Sequence, residues 1–181
     1  MAESARNTSE PYVSAGHGDG DAWAAEAATQ GHVGTQRLLH VFTTDPADDV
    51  QRELRLHPGE QIVTRSRLIL SDGRPVEIAT SHYPASFAGS TPLARSAKIK
   101  GGAVAVLAGL GLAATDVLEA LTARWPTTEE AATLDVDDHE PLLVLTRTSF
   151  DQTGAPVEFA VNVSVARRSA PHTYRLKNAA P

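Results

Sequence analysis

Between residues 157 and 165 the chain alternates without a break. Val157, Phe159, Val161, Val163 and Val165 take one set of positions, and Glu158, Ala160, Asn162 and Ser164 take the other. A period of two predicts a half-buried antiparallel strand with one apolar and one polar face. Weaker runs predict a strand over residues 38–43, a hairpin over 61–83 and a second hairpin over 141–165. Between these the pattern turns helical. Asp45-Pro46 has the chemistry of an N-cap followed by proline at the first helical position. The helix it opens runs to about Leu56, with Val50, Leu54 and Leu56 inward, and His57-Pro58-Gly59 stops it. Residues 84–95 read as irregular with short helical turns. A helix over 103–110 follows Gly101-Gly102.

Residues 115–125 are rich enough in alanine for a helix, yet Thr127 and Glu130 form a capping box that starts a helix of their own. Two helices would then abut across Pro126. A strand ending at Trp125, followed by a short helix over 128–134, avoids this. A polar turn over 135–140 leads into the second hairpin, and a short strand over 172–177 closes the chain. Hairpins separated by helices make an α+β domain on a mostly antiparallel sheet. Residues 1–34 read differently. They hold a small, polar, Gly-rich stretch, and then Ala22 to Gln30, an Ala-rich stretch suited to a short helix starting from Asp21, with Trp23 as its only large apolar residue. They are expected to form a flexible linker or arm, with the folded domain over 35–181. His17 and His32, with Asp19 and Asp21, match no metal-ligand spacing, so no metal or cofactor is expected.

The two hairpins repeat one phrase. An Arg-bearing strand, a Gly-centred turn and Pro75-Val76-Glu77-Ile78-Ala79 return as Arg147, a second Gly turn and Pro156-Val157-Glu158-Phe159-Ala160. Arg65 and Arg67 are two apart, so they share a face. There they either pair with carboxylates such as Glu60 and Glu77 or hold an anion between them. A two-residue loop at Asp72-Gly73 sets them beside Ile78 and Thr80. A three-residue loop sets them beside Ala79 and Ser81, and Asp-Gly supports either. In the second hairpin a four-residue loop over 151–154 places Arg147 opposite Glu158. Glu158 then either pairs with that arginine or accepts hydroxyl or amine groups of a ligand. Gly101-Gly102, flanked by Lys98 and Lys100, offers backbone N–H groups and a positive helix end to an anion. Ser81, His82, Asn162 and Ser164 are further polar candidates.

Composition narrows the possibilities. The 181 residues suit one domain plus a tail, and 41% hydrophobic residues suffice for a core. A net charge of −6 opposes nucleic-acid binding by this chain itself. The absence of cysteine excludes disulfides, thiolate metal sites and cysteine nucleophiles. Neither a membrane-length apolar run nor a signal-peptide pattern is visible, so a cytoplasmic location is the expectation. The common nucleophile-elbow, zinc-protease, phosphate-loop and dinucleotide-binding signatures are missing.

Leu54 to Glu60, Arg65-Ser66-Arg67, Asp72 to Val76 and Ala79 to Pro84, followed by Gly101-Gly102, Ala123 to Ala131 and Arg147 to Glu158, occur in an order and spacing that resembles the effector-binding UTRA domain. That domain is the C-terminal part of HutC-type GntR transcription regulators. The resemblance covers residues 36–177. It implies a chorismate-lyase-like fold, a homodimer and a small-molecule effector held over the sheet. It carries ligand contacts onto Arg67, Ser81, Gly102 and Glu158. Aligned on the Asp-Gly turn, the family's two Arg positions fall on Arg67 and Ile69, and its return-strand acid falls on Ala79. The effector is therefore expected to carry less charge than a sugar phosphate. DNA contact would come only through a winged helix-turn-helix domain that this chain does not show. The alternative is a stand-alone lyase or hydrolase on the same fold, with Glu158 and His82 as its acid–base groups.

Overall fold

In the computed structural model, which describes residues 22–172, six strands form one antiparallel sheet. They are β1 (Gly34–Thr44), β2 (Ile62–Ser71), β3 (Arg74–Pro84), β4 (Asp116–Arg124), β5 (Leu142–Phe150) and β6 (Pro156–Val165), in the order β1-β2-β3-β6-β5-β4. The helices are α1 (Ala22–Thr29), α2 (Asp48–Glu53), α3 (Ala85–Ala88), α4 (Gly102–Gly109) and α5 (Thr128–Leu134). Short 3-10 turns cover Pro92–Ala94 and Ala166–Arg168. The two repeated phrases meet at the centre. Their return strands, β3 and β6, pair directly from Glu77 opposite Ser164 to His82 opposite Phe159.

The apolar stripe of β6 does what its period demands. Val163 and Val165 join Leu68, Leu134, Leu142 and Val144 in a cluster under α5. Phe159 joins Val50, Leu54 and Ile62 under α2. Each such buried side chain contributes about 1.5–3 kcal/mol. Val157 departs from the stripe and packs on the other face with Val63, Tyr83, Leu93 and Leu107. The cause is a bulge: Phe150 pairs with Pro156, but Ser149 pairs with Glu158. The loop spans five residues, 151–155, and with the bulge it moves Arg147 opposite Ala160, two residues past the Glu158 that a plain four-residue loop requires. The two residues keep their shared face and lose their direct opposition.

The first hairpin also combines a turn with a bulge. Asp72 and Gly73 both have positive φ, 49° and 78°, which is the two-residue primed turn that Asp-Gly favours. A shift between Ile69 and Leu70 then brings Arg67 opposite Ala79 and Arg65 opposite Ser81. The turn is that of the shorter loop, and the register beyond it is that of the longer one.

The capping box at Thr127 and Glu130 forms as expected, and Arg124 reaches both Glu130 oxygens at 2.6 Å. Residues 116–124 are a strand, as Pro126 required. The start of α2 differs from expectation. Its N-cap is Ala47, without a side-chain cap, while the Asp45 carboxylate accepts from Gln61 Nε2 at 3.2 Å. The stretch expected as a linker or arm is docked from Ala22 onward. Trp23 Nε1 donates to the Leu70 carbonyl at 2.8 Å, and its ring packs on Ile69, Val76 and Ala79. His17, Asp19, Asp21 and all but the first residue of the strand expected over 172–177 lie outside the described residues.

Candidate functional site

One face of the sheet carries the chemistry. Following the pairings across β2, β3, β6, β5 and β4, one row reads Arg65, Ser81, Ala160, Arg147 and Glu119. The next reads Arg67, Ala79, Asn162, Leu145 and Leu121, and the third begins Ile69, Glu77, Ser164. Two alanines, Ala79 and Ala160, stand diagonally at the centre. Their small side chains leave a hollow ringed by longer polar ones. Above it lies a cavity of about 1160 Å³. Arg67, Glu77, Arg147, Glu158 and Asn162 line its floor. Its walls come from α1, from residues 98–108 and from residues 167–172.

Arg147 is the least compensated charge on this floor. It is 6% exposed, and the nearest carboxylate oxygen, Glu119 Oε1, is 3.9 Å from its Nη1. Its Nε and that same Glu119 oxygen are buried without hydrogen-bond partners. A buried charge in this condition costs several kcal/mol unless something pairs with it. Among the described residues Arg67 is held by one long contact, 3.4 Å, from Nη1 to Gln36 Oε1. Glu158 Oε1 accepts from the Tyr83 hydroxyl at 2.7 Å. Burial, with the Glu158 charge beside it, pushes the Tyr83 pKa far up, so the phenol stays protonated and remains a donor. Glu77 Oε2 accepts from Ser164 Oγ at 2.6 Å, and burial raises its pKa above the ordinary 4.5.

The other expected site residues divide. Gly101 and Gly102 line the cavity at the start of α4, with φ of 75° and 72°. The first N–H groups of that helix have no intrahelical partner. Arg65 shares the face of Arg67 but does not line the cavity. Its Nη1 donates to the Leu93 and Arg95 carbonyls at 2.7 Å and to Pro92 at 3.4 Å, and its Nη2 donates to Ala97 at 3.0 Å. It therefore pins the loop that leads to α4. Ser81 stands opposite it on β3, 2% exposed. His82 points to the opposite face, where Nδ1 meets Thr64 Oγ1 at 2.9 Å and the ring stacks on Phe159. The two groups considered for acid–base work, Glu158 and His82, thus lie on opposite sides of the sheet.

Sequence reading missed Glu77, Ser164's partnership with it, and the α1 wall that carries Trp23 and His32. The Glu in Pro-Val-Glu was a visible signal in both phrases. Only the bulge shows that its first copy also faces the cavity. His32 Nδ1 meets Asp72 Oδ2 at 2.6 Å, and Val33 N donates to Asp72 Oδ1 at 2.8 Å, which fastens the end of α1 to the first hairpin's turn. Among the described residues no group of three or more potential metal ligands occurs, and no helix is long and apolar enough to cross a membrane.

Comparison with known proteins gives these features a setting. A family model for the UTRA domain matches residues 29–169. An uncharacterized HTH-type transcriptional regulator from Streptomyces coelicolor is 30% identical over 124 residues, 67% of this chain and 46% of the relative. The chain spans about half the length of that curated relative. Among solved structures, the effector domain of PhnF from Mycobacterium smegmatis superposes with a TM-score of 0.73 at 21% identity, covering 88% of this chain and 98% of that one. A GntR-family transcriptional regulator from Enterococcus faecalis superposes with a TM-score of 0.60 at 16% identity, covering 81% and 99%. At these identities the superpositions establish the fold.

Proposed function

The chain belongs to the UTRA domain family, and on that premise we propose that it is the effector-sensing and dimerisation domain of a HutC-type GntR transcription regulator. It binds a small metabolite in the cavity over Ala79 and Ala160. Binding there controls DNA contact by an attached winged helix-turn-helix domain. The observation that carries this reading is Arg147, a buried guanidinium on the floor of a large cavity with its nearest counter-charge at 3.9 Å. Arg147, Arg67 and the start of α4 grip the acidic part of the effector. Glu158 and Asn162 read its hydroxyl or amine groups. Arg65, Ser81 and His82 act behind this surface, in positioning and packing.

A ligand that binds the folded state alone stabilises it by RT ln(1 + [L]/Kd), about 2.7 kcal/mol at a hundredfold excess over Kd. A ligand that also prefers one arrangement of the dimer shifts that equilibrium by its differential affinity. The proposed dimer is supported by the exposed large apolar residues of the edge strand β4 and its end, Leu118 at 63% accessible, Leu121 at 40% and Trp125 at 61%. Light scattering on the purified protein tests this part. A thermal-shift screen of metabolites tests the cavity, with Arg67→Ala placed in the intact regulator. Loss of the effector response with operator binding retained supports the assignment, and an unchanged response contradicts it.

A further inference from the structure

The cavity floor holds two signs of charge in equal number, Arg67 and Arg147 against Glu77 and Glu158. Apart from Arg74, which sits on the exposed turn of the first hairpin, the charges on the walls are already engaged. Arg167 pairs with Glu140 at 2.7 Å, and Arg168 donates to the carbonyls of Pro75, Leu134 and Asp135, each at 2.7 Å. Asp72 is bound by His32. Lys98, Lys100 and Glu26 also have partners. The four floor charges are therefore the ones that meet a ligand.

Each floor carboxylate is tied by one oxygen only. Ser164 holds Glu77 Oε2, and Tyr83 holds Glu158 Oε1. Neither tie is an ion pair, and each carboxylate keeps its second oxygen for the cavity. Glu77 stands between the two arginines electrostatically, since both Arg67 and Arg147 act on it. A doubly charged phosphate monoester seated on the arginines would face two carboxylates, and like charges placed together in a partly desolvated site oppose binding strongly. A ligand with a carboxylate and an ammonium satisfies both pairs at once. The remaining lining, Ile69, Val76, Ile99, Val104 and Leu145, suits an apolar body.

We propose that Glu77, with Ser164, forms an ammonium subsite beside the arginines, so that the effector is a zwitterion: an amino-acid-like head with an apolar or extended body. This rests on the cavity being the effector site, and it adds both the ligand class and a specificity-determining residue, Glu77. Burial raises the Glu77 pKa. An arriving ammonium restores the charged form, as an adjacent opposite charge must.

The test is calorimetric titration of the whole chain with the common amino acids, with the deaminated acid matching each hit, with hexose phosphates and with inorganic phosphate. The expected result is an amino acid that binds and weakens at least tenfold on deamination. Glu77→Gln should weaken that amino acid by a similar factor and should not weaken the deaminated acid or inorganic phosphate. A hexose phosphate that outbinds every zwitterion, or a hit indifferent to deamination and to Glu77→Gln, overturns the ammonium subsite and leaves the effector reading intact. Phosphate binding that is lost in Arg147→Met, with no amino acid bound, has the same meaning. If no compound binds, phosphate included, the effector reading falls together with the subsite.

Discussion

Tyr83 donates its hydroxyl to Glu158 Oε1 at 2.7 Å, and this bond ties β3 to β6 at the end of the cavity floor. The phenol is 1% exposed and has no water to turn to. Tyr83→Phe leaves a buried carboxylate oxygen short of a donor, so unfolding stability should fall by about 1–3 kcal/mol. Urea denaturation measures it. A loss well under 0.5 kcal/mol would mean the bond does not contribute.

Arg65 and Arg67 share one strand and one face yet differ in task. Arg65 satisfies four loop carbonyls, and Arg67 faces the cavity. Arg65→Met should destabilise the chain by about 2–3 kcal/mol, since bonds from a charged donor are lost and the Leu93 carbonyl stays buried. It should also speed amide exchange in residues 92–100. Arg67→Met should leave stability within about 0.5 kcal/mol and reduce ligand binding. Equal stability losses in the two variants would contradict this division.

Much of this was legible in the sequence, and the limits were physical. The alternation of β6 from Phe159 onward and the capping box at Thr127 are local patterns, and both formed as read. The family resemblance rested on spacing, which bulges hardly alter. The bulges themselves are single-residue shifts with no signature, and they decided what stands beside Arg67 and, together with one extra loop residue, beside Arg147. The identity of Arg65's partners was equally hidden, because they are backbone carbonyls that any sequence supplies. The docking of α1 rests on one tryptophan in an alanine-rich stretch, too little apolar periodicity to mark a packed helix.

Glu77 gives the protein a pH dependence of definite sign. Burial raises its folded-state pKa above 4.5, the ordinary value. A raised acid binds its proton more tightly when folded, so its contribution to stability is complete below pH 4.5 and is lost as pH rises through the folded-state pKa. Glu77→Gln removes that loss and keeps an acceptor for Ser164. The variant should match the wild type near pH 4.5 and exceed it increasingly toward neutral pH. Denaturant titrations at several pH values check this, and a variant that loses ground as pH rises would contradict it.

Trp23 joins α1 to the sheet and lines the cavity with the same ring. Trp23→Ala should cost about 2–3 kcal/mol, less than a fully buried tryptophan, and should remove one cavity wall. Limited proteolysis should then cut within residues 22–34, and effector affinity should drop. Cleavage as slow as in the wild type would show that α1 is held by other contacts.

The central claim is that the floor around Arg147 receives a small molecule. Its most direct test is the thermal unfolding of wild type and Arg147→Met, each with and without the small-molecule fraction of a bacterial extract. The account predicts a rise of several degrees for the wild type and none for Arg147→Met. Equal rises in both proteins would contradict it.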